Sequence, residues 1–233
     1  MIVIPMAGLS SRFFKAGFKE PKYMLPLHNQ TVFDWAVRSF EKYFSTDEFL
    51  FIVRDVYNTP RFVEKHLKKI GIKNYKIHIL NQQTQGQAET VYLAVKDLPD
   101  QSLYIFNIDS KIINFKKKLN YELAAGYLEV FEGEGEHWSF VRPGADNDVL
   151  ETTEKLRISS LCSNGLYYFK SSQEFAEYFL KFKKLNCDKE LYIAPIYNLY
   201  IQDNKEIKYV LKPLEHIDFC GVPDEYYHIL KNG

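Results

Sequence analysis

Three short segments carry side chains suited to gripping a polyphosphate and a hard cation. The first, Ala7-Gly8-Leu9-Ser10-Ser11-Arg12, follows directly on an apolar run that begins at Met1 and passes Ile4. A glycine and small hydroxylic residues let backbone N–H groups turn toward phosphate oxygens, and the Arg12 guanidinium can add charge-assisted bonds. It is neither a GxGxxG fingerprint nor a P-loop, since no Gly-Lys-Ser/Thr follows. Taken alone, an ordinary strand–turn–helix connection accounts for it better. The second, Pro21-Lys22-Tyr23-Met24-Leu25, offers a lysine that either faces solvent or reaches the same phosphates. The third, Phe106-Asn107-Ile108-Asp109-Ser110, places a carboxylate just past an apolar run. That position suits Mg²⁺, which prefers hard oxygen ligands. Asp-Ser suits a turn or helix cap equally well.

Other chemistries find no support. The histidines form no HxxxH pair, so no zinc-hydrolase signal exists. The three cysteines, Cys162, Cys187 and Cys220, are odd in number, far apart and without a CxxC spacing. Neither a disulfide framework nor a zinc knuckle follows, and a reducing cytosol fits.

The candidate segments need elements that bring them to one edge. Apolar runs at 1–4, 49–53, 75–80 and 103–108 read as strands with little polar alternation. Between them, Thr31 to Phe44 has helical spacing, with Phe33, Ala36, Val37, Phe40 and Phe44 on one face. Thr59 to Ile70 reads as a Lys-rich amphipathic helix closed by Gly71, and Gly86 opens a helix through Val95. This alternation predicts an α/β fold: a Rossmann-like, mostly parallel but mixed sheet with helices on both faces. Ligands in such sheets lie outside the carboxyl ends of the strands, where the three segments fall.

After Asp109 the pattern changes. Strands are expected at 138–141, 149–153, 166–169 and 207–211, and helices at 172–184, 189–200 and 223–230. The stretch from Ser110 to Pro143 reads as mostly loop, most clearly at Glu132-Gly-Glu-Gly-Glu136. Without repeat, low-complexity tract or linker, 1–233 reads as one domain.

Charge and hydropathy narrow the partners. Lys plus Arg and Asp plus Glu both number 30, so the basic excess of a duplex-binding protein is missing. The run Lys116-Lys117-Lys118 is better read as a solvated face. No stretch approaches the roughly 20 apolar residues that span a bilayer. A basic region before a signal sequence is also missing, so a cytoplasmic location is expected.

Taken together, the three segments resemble the sugar-phosphate nucleotidyltransferase family, the nucleotide-sugar pyrophosphorylases and cytidylyltransferases, in its short single-domain members. That family opens with A-G-x-x-S/T-R followed by P-K-x-x-L. The likeness continues through Gly86-Gln87-Ala88-Glu89-Thr90-Val91, Asp109, and Glu154-Lys155 with Ile158-Ser159 and Asn164-Gly165-Leu166-Tyr167-Tyr168-Phe169. It closes with Lys189-Glu190-Leu191-Tyr192 up to Asn198 and Gly221-Val222-Pro223-Asp224-Glu225-Tyr226. Seven such matches in one order leave little room for coincidence.

The resemblance implies a nucleotide-binding half, 1–109, and an acceptor-binding half, 110–233. It implies that the backbone of Ala7, Gly8 and Leu9 holds a nucleotide, with Arg12 on the β- and γ-phosphates and Lys22 at the α-phosphate. Gln82 or Gln83, with Gly86, would lie along the base edge, and Asn107 beside the nucleotide. Asp109 would hold Mg²⁺. Glu154 would bond acceptor hydroxyls and Lys155 the acceptor phosphate, with Asn164 and Gly165 also on the acceptor. An acceptor phosphate is already an anion, so in-line attack on the α-phosphorus needs alignment and charge stabilisation rather than a general base. Arg12, Lys22, Lys155 and the ion would supply it.

Three departures stand out. Asn107-Ile108 precede Asp109 where the family often has Gly-Asp. The family's second metal aspartate falls at Phe219, with Asp218 one residue earlier: either the backbone bulges or this chain uses one carboxylate. Trp138-Ser139-Phe140 replaces a Tyr-Gly pair that contacts the sugar. The expected reaction is Mg²⁺-dependent transfer of a nucleoside monophosphate from a nucleoside triphosphate, pyrimidine favoured, to a sugar 1-phosphate. Pyrophosphate is released, and the product serves surface polysaccharide synthesis. The alternative is cytidylyl transfer to a non-sugar phosphate: a phosphorylated alcohol, polyol, choline or amino acid derivative. A silent nucleotide-binding regulator is disfavoured by Arg12, Lys22, Asp109 and Lys155 occurring together. A glycosyltransferase is disfavoured because Asn107-Ile108-Asp109 lacks the first acid of D-x-D. The expected partners are a nucleoside triphosphate and a small phosphorylated acceptor, with no nucleic acid and no membrane; oligomeric state stays open.

Overall fold

Runs of β-branched and aromatic residues without polar alternation favour strands covered on both faces. In the computed structural model, which describes residues 1–232, such runs build the middle of the sheet. The strands are β1 (Ile2–Pro5), β2 (Pro26–Leu27), β3 (Gln30–Thr31), β4 (Phe49–Arg54), β5 (Tyr75–Leu80), β6 (Leu103–Phe106) and β7 (Ser110–Ile112). After these come β8 (Gly126–Glu132), β9 (Ser139–Pro143), β10 (Val149–Glu154), β11 (Leu161–Phe169), β12 (Ile207–Leu211) and β13 (Ile217–Phe219). The α-helices are α1 (Ser11–Lys15), α2 (Val32–Val37), α3 (Thr59–Ile70), α4 (Gln87–Val95), α5 (Ser172–Leu185), α6 (Tyr197–Gln202) and α7 (Pro223–Asn232).

Nine strands form one mixed sheet in the order β10-β9-β11-β6-β1-β4-β5, with β8 paired to β11 and β12. β1 lies parallel to β4 and β6, and β4 to β5. β11 turns the sheet antiparallel, pairing with β6 and with β8. Side chains alternate between two cores, as strand geometry requires. Ile2 and Ile4 join Phe13, Phe33, Val63 and Tyr226 from α1, α2, α3 and α7. Val3 joins Val91, Phe175 and Tyr197 from α4, α5 and α6 on the other face. The expected α/β sheet covered on both faces is therefore the observed one. No helix among the described residues is long and apolar enough to cross a membrane.

Three local readings are corrected. The helix expected over 31–44 starts on a Thr31–Asp34 capping box but stays α-helical only to Val37. From Arg38 to Tyr43 it tightens into a 3₁₀ turn kinked at Phe40, whose ring packs 5.2 Å from Phe106 and 4.9 Å from Phe115. The helix expected over 189–200 is irregular until a 3₁₀ turn, Ala194–Ile196, which leads into α6. The Leu191 backbone is engaged instead in two tertiary bonds, and Pro195 supplies no N–H. The stretch 110–143, read as mostly loop, contains β7 and all of β8 besides the strand expected at 138–141, which is β9.

Candidate active site

The carboxyl ends of β1 and β6 place the first segments. Met6 N–H still bonds the Ile52 carbonyl at 2.9 Å, and then the chain leaves the sheet. Ser10 adopts a left-handed conformation (φ 52°), and its carbonyl accepts the Phe13 and Phe14 N–H groups that start α1. Its hydroxyl accepts the Lys22 N–H at 3.2 Å, tying the two loops together. A methyl group at Gly8 would meet nothing within 4 Å, so protein packing does not dictate that glycine. Lys22 lies in a 3₁₀ turn after Pro21, and its ammonium pairs with the Asp109 carboxylate. Asp109 follows β6, and its carbonyl accepts the Cys220 N–H at 2.7 Å.

These loops wall a cavity of about 840 Å³, lined by Ala7, Gly8, Leu9, Lys22, Gln83, Gly86, Asn107 and Asp109. Its far wall is the segment Cys187 to Glu190. Leu191 clamps that wall: its N–H bonds the Gln85 carbonyl at 2.8 Å, and its carbonyl accepts the Ala88 N–H at 2.9 Å. A methyl group at Gly86 would lie 2.4 Å from the Leu191 oxygen, so only glycine permits this approach. Glu89 braces the loop from below, accepting the Gln85 N–H at 2.6 Å and pairing with Lys183. Burial works upward on the Glu89 carboxyl, but the Gln85 N–H and Lys183 outweigh it and hold it below its ordinary range.

A second cavity, of about 570 Å³, adjoins the first. Gln87, Asn107, Asp109 and Glu190 line both, so Asp109 and its Lys22 partner sit at the junction. Gln87 donates to the Asn107 side-chain carbonyl at 2.6 Å across that junction. In the second cavity Glu154 faces its cross-strand neighbour Ser139, whose hydroxyl donates to it. Burial raises the Glu154 pKa, against the pull of the Ser139 bond and the Lys155 charge. Asn164, Gly165 and Tyr167 come from β11. Trp138 and Phe219 add an aromatic wall, ring centroids 4.8 Å apart, each 5.2 Å from Phe131 behind them.

The fold treats the remaining expected residues differently. Arg12 lines the second cavity, not the first. Lys155, in a left-handed conformation (φ 55°), lines neither. Its ammonium donates to the Tyr192 hydroxyl and lies 3.8 Å from the Glu190 carboxylate, both of which line the second cavity. Gln82 is exposed and outside the lining that Gln83 joins. Asp218 stands opposite Lys111 in the β7–β13 ribbon. Its neighbour Phe219 takes the cavity side, so alternation turns Asp218 to the other face. The structure thus brings neither Gln82 nor Asp218 to the site. Among the described residues no cluster of three or more acidic, histidine or cysteine side chains could cage a metal. Sequence reading missed Gln85 and Gln87, whose signal was the same Gln-rich loop, and Glu190 and Tyr192, hidden in a segment read as helix.

A crystal structure of the nucleoside-diphosphate-sugar pyrophosphorylase from Vibrio cholerae RC9 matches this arrangement with a TM-score of 0.95. It is 45% identical, over 99% of this chain and 100% of that one. The chain belongs to the sugar-phosphate nucleotidyltransferase family. Two more distant structures share the fold. One is a UDP-glucose pyrophosphorylase complexed with UDP-glucose: TM-score 0.76, 14% identity, 99% and 97% coverage of this chain and that one. The other is the inositol-1-phosphate CTP transferase from T. maritima: TM-score 0.77, 12% identity, 99% and 94% coverage. Neither a scan of family models nor a search of curated proteins returned a match.

Proposed function

We propose that the protein transfers a nucleoside monophosphate from a pyrimidine nucleoside triphosphate to a sugar 1-phosphate, giving a nucleotide-activated sugar for surface polysaccharide. The observation that carries this is the Lys22–Asp109 pair at the meeting of two cavities. The first cavity takes the nucleotide, with exposed backbone of Ala7, Gly8 and Leu9 toward the phosphates. The second takes the acceptor. An acceptor phosphate oxygen attacks the α-phosphorus, the bond to the β-phosphate oxygen breaks, and pyrophosphate leaves with the electron pair. Lys22 offsets charge growing at the α-phosphate, where a preorganised donor is worth about 10²–10³ in rate. Arg12 in the lining of the second cavity and Lys155, held against Tyr192 and Glu190 of that lining, orient the acceptor phosphate, and Glu154 with Ser139 receives acceptor hydroxyls.

Mg²⁺ fits this donor set. It is commonly held by one or two carboxylates together with substrate phosphates and water, not by an all-protein cage. Asp109 would hold it, and the ion would neutralise phosphate charge. The Trp138–Phe219 wall favours a second reading, cytidylyl transfer to a non-sugar phosphate. Aromatic faces bind the ammonium of a choline phosphate as readily as they stack on a sugar ring. The test is incubation with each of the four nucleoside triphosphates, Mg²⁺ and a panel of sugar, polyol and choline phosphates, scored for pyrophosphate. Release with UTP or CTP and a sugar 1-phosphate is expected. A preference for a polyol or choline phosphate selects the second reading, and no release from any pair overturns both.

A further inference from the structure

β8 carries a carboxylate where a central strand ordinarily carries hydrocarbon. Glu129 has no solvent exposure. A buried charge of this kind is costly unless it is paired and hydrogen-bonded. Burial raises the Glu129 pKa, and the Lys212 charge and the Asn164 bond oppose it. One carboxylate oxygen accepts the Asn164 side-chain N–H at 3.2 Å; the other lies 3.6 Å from the Lys212 ammonium. The reaction proposed above gives Glu129 no part.

Its partner explains its place. On β11, Ser163 pairs with Val130 and Tyr167 with Leu128. Asn164, Gly165 and Leu166 therefore stand opposite Glu129 alone, which is a bulge in the ladder. Within it, Gly165 N–H bonds the Ser163 hydroxyl at 3.2 Å and Leu166 N–H bonds the Asn164 side-chain carbonyl at 3.0 Å. The Asn164 amide is thus fixed at both ends, by Leu166 and by Glu129. Gly165 is left-handed (φ 91°), and a methyl group there would lie 2.4 Å from the Asn107 amide nitrogen. The bulge is therefore seated directly against Asn107, which lines both cavities, while Asn164 and Gly165 line the second.

We infer that Glu129 is a positioning residue for the acceptor site: by holding the Asn164 amide it sets the bulge that presents Asn164 and Gly165 to the acceptor cavity and seats Gly165 on Asn107. The inference rests on reading the second cavity as the acceptor site. Glu129 itself does not line that cavity and acts only through the β11 backbone and Asn164.

The test uses the full chain with UTP and glucose 1-phosphate, and the variants Glu129→Leu, Glu129→Gln, Asn164→Ala and Glu129→Leu/Asn164→Ala. Glu129→Leu raises the glucose 1-phosphate KM about tenfold and leaves the UTP KM within about twofold. Glu129→Gln, which keeps an oxygen for Asn164, stays within about threefold of the parent. The double variant is no worse than the worse single one, the non-additivity expected of residues acting through one bond. Amide hydrogen exchange at Gly165 and Leu166 speeds up about tenfold in Glu129→Leu and not in Glu129→Gln. Multiplying effects in the double variant, equal shifts in both KM values, or unchanged exchange each overturn the inference. If Glu129→Leu does not fold, Asn164→Ala decides: an unchanged acceptor KM overturns it. If the parent protein releases no pyrophosphate with this substrate pair, that failure counts against the sugar-phosphate reading. Exchange at Gly165 and Leu166 then decides the role of Glu129 by itself.

Discussion

The first cavity is walled mainly by loops, the second in good part by strands. Around the first, the loop after β1, the loop before α4 and the segment 187–190 come together, and Leu191 beside that segment bonds the backbone of Gln85 and Ala88. Their fit depends on the crowded glycine at 86, whereas Gly8 stands in open space. Around the second, β9, β10 and β11 project Ser139, Glu154, Asn164 and Tyr167 from strands, with Trp138 and Phe219 beside them. On the reading proposed above, the first cavity takes what every nucleoside triphosphate shares, its phosphates, and the second, lined by side chains from separate strands, can be rewritten residue by residue. Two of the three departures from the family pattern fall on the second side, at Trp138 and Phe219, whose rings meet at 4.8 Å, and the third, at Asn107-Ile108, falls at the junction.

Asp109 belongs to both cavities and its partner Lys22 to the first, and removing either should have the largest effect. Lys22→Ala and Asp109→Ala are each expected to lower turnover by about 10²–10³, as for other preorganised charge stabilisers. Far-ultraviolet circular dichroism should stay unchanged, because both side chains sit at loop ends outside either core. Near-normal pyrophosphate release from both variants would place the chemistry elsewhere.

A pair of substitutions, one on each side, sharpens the contrast. Gly86→Ala pushes a methyl group against the Leu191 carbonyl and forces backbone to move. Overpacking of that kind costs about 1–3 kcal/mol. Nucleotide KM should rise about tenfold with acceptor KM little changed, and the urea midpoint should fall. Glu154→Gln should do the reverse, raising acceptor KM about tenfold through loss of a charged hydrogen-bond partner. Its pH signature is separate. Burial raises the folded-state pKa of Glu154, so below that value the native protein holds a proton more tightly than the unfolded chain. This group's contribution to stability is present at low pH and is lost as pH rises through the folded pKa. Glu154→Gln should reduce that slope without abolishing it, because Glu129 is shifted the same way. Matching KM changes for Gly86→Ala and Glu154→Gln would erase the division of labour.

How far the sequence disclosed each cavity follows from the same division. The first cavity is legible because a βα unit fixes where a loop must lie. Once 1–4 and 103–108 read as parallel strands, Ala7 to Leu9 and Asp109 have to share an edge. Within those loops the resolution ends, since no periodicity says that Gln83 turns inward and Gln82 outward. The acceptor side depends on register, which a single sequence does not carry. β8 escaped detection because Glu129 interrupts its apolar run, and the partner that makes that glutamate tolerable lies on another strand. Asp218 was a reasonable ligand by spacing, but its direction depends on the pairing of β13 with β7. Lys189 to Tyr192 has helix-compatible residues, but the Leu191 backbone is taken up by tertiary bonds to Gln85 and Ala88.

The smallest expected effect is chemical rather than kinetic. Cys187 is exposed and lines the first cavity, whereas Cys162 and Cys220 are buried. Burial, aided by the nearby Asp109 charge, pushes the Cys220 thiol up to about 12. Burial raises the Cys162 thiol as well. The thiolate is the reactive form, so below about pH 9 these two groups stay protonated as well as covered. Iodoacetamide at pH 8 should therefore modify the native chain once, at Cys187, as read by mass spectrometry of the digested protein. Its position in the lining of the first cavity sets the direction of protection. UTP should slow the modification severalfold, because a bound nucleotide fills the space that the reagent must cross. Glucose 1-phosphate alone should not, because Cys187 is absent from the lining of the second cavity. Protection by the acceptor and not by the nucleotide would reverse the assignment of the two cavities while leaving the junction at Asp109 in place.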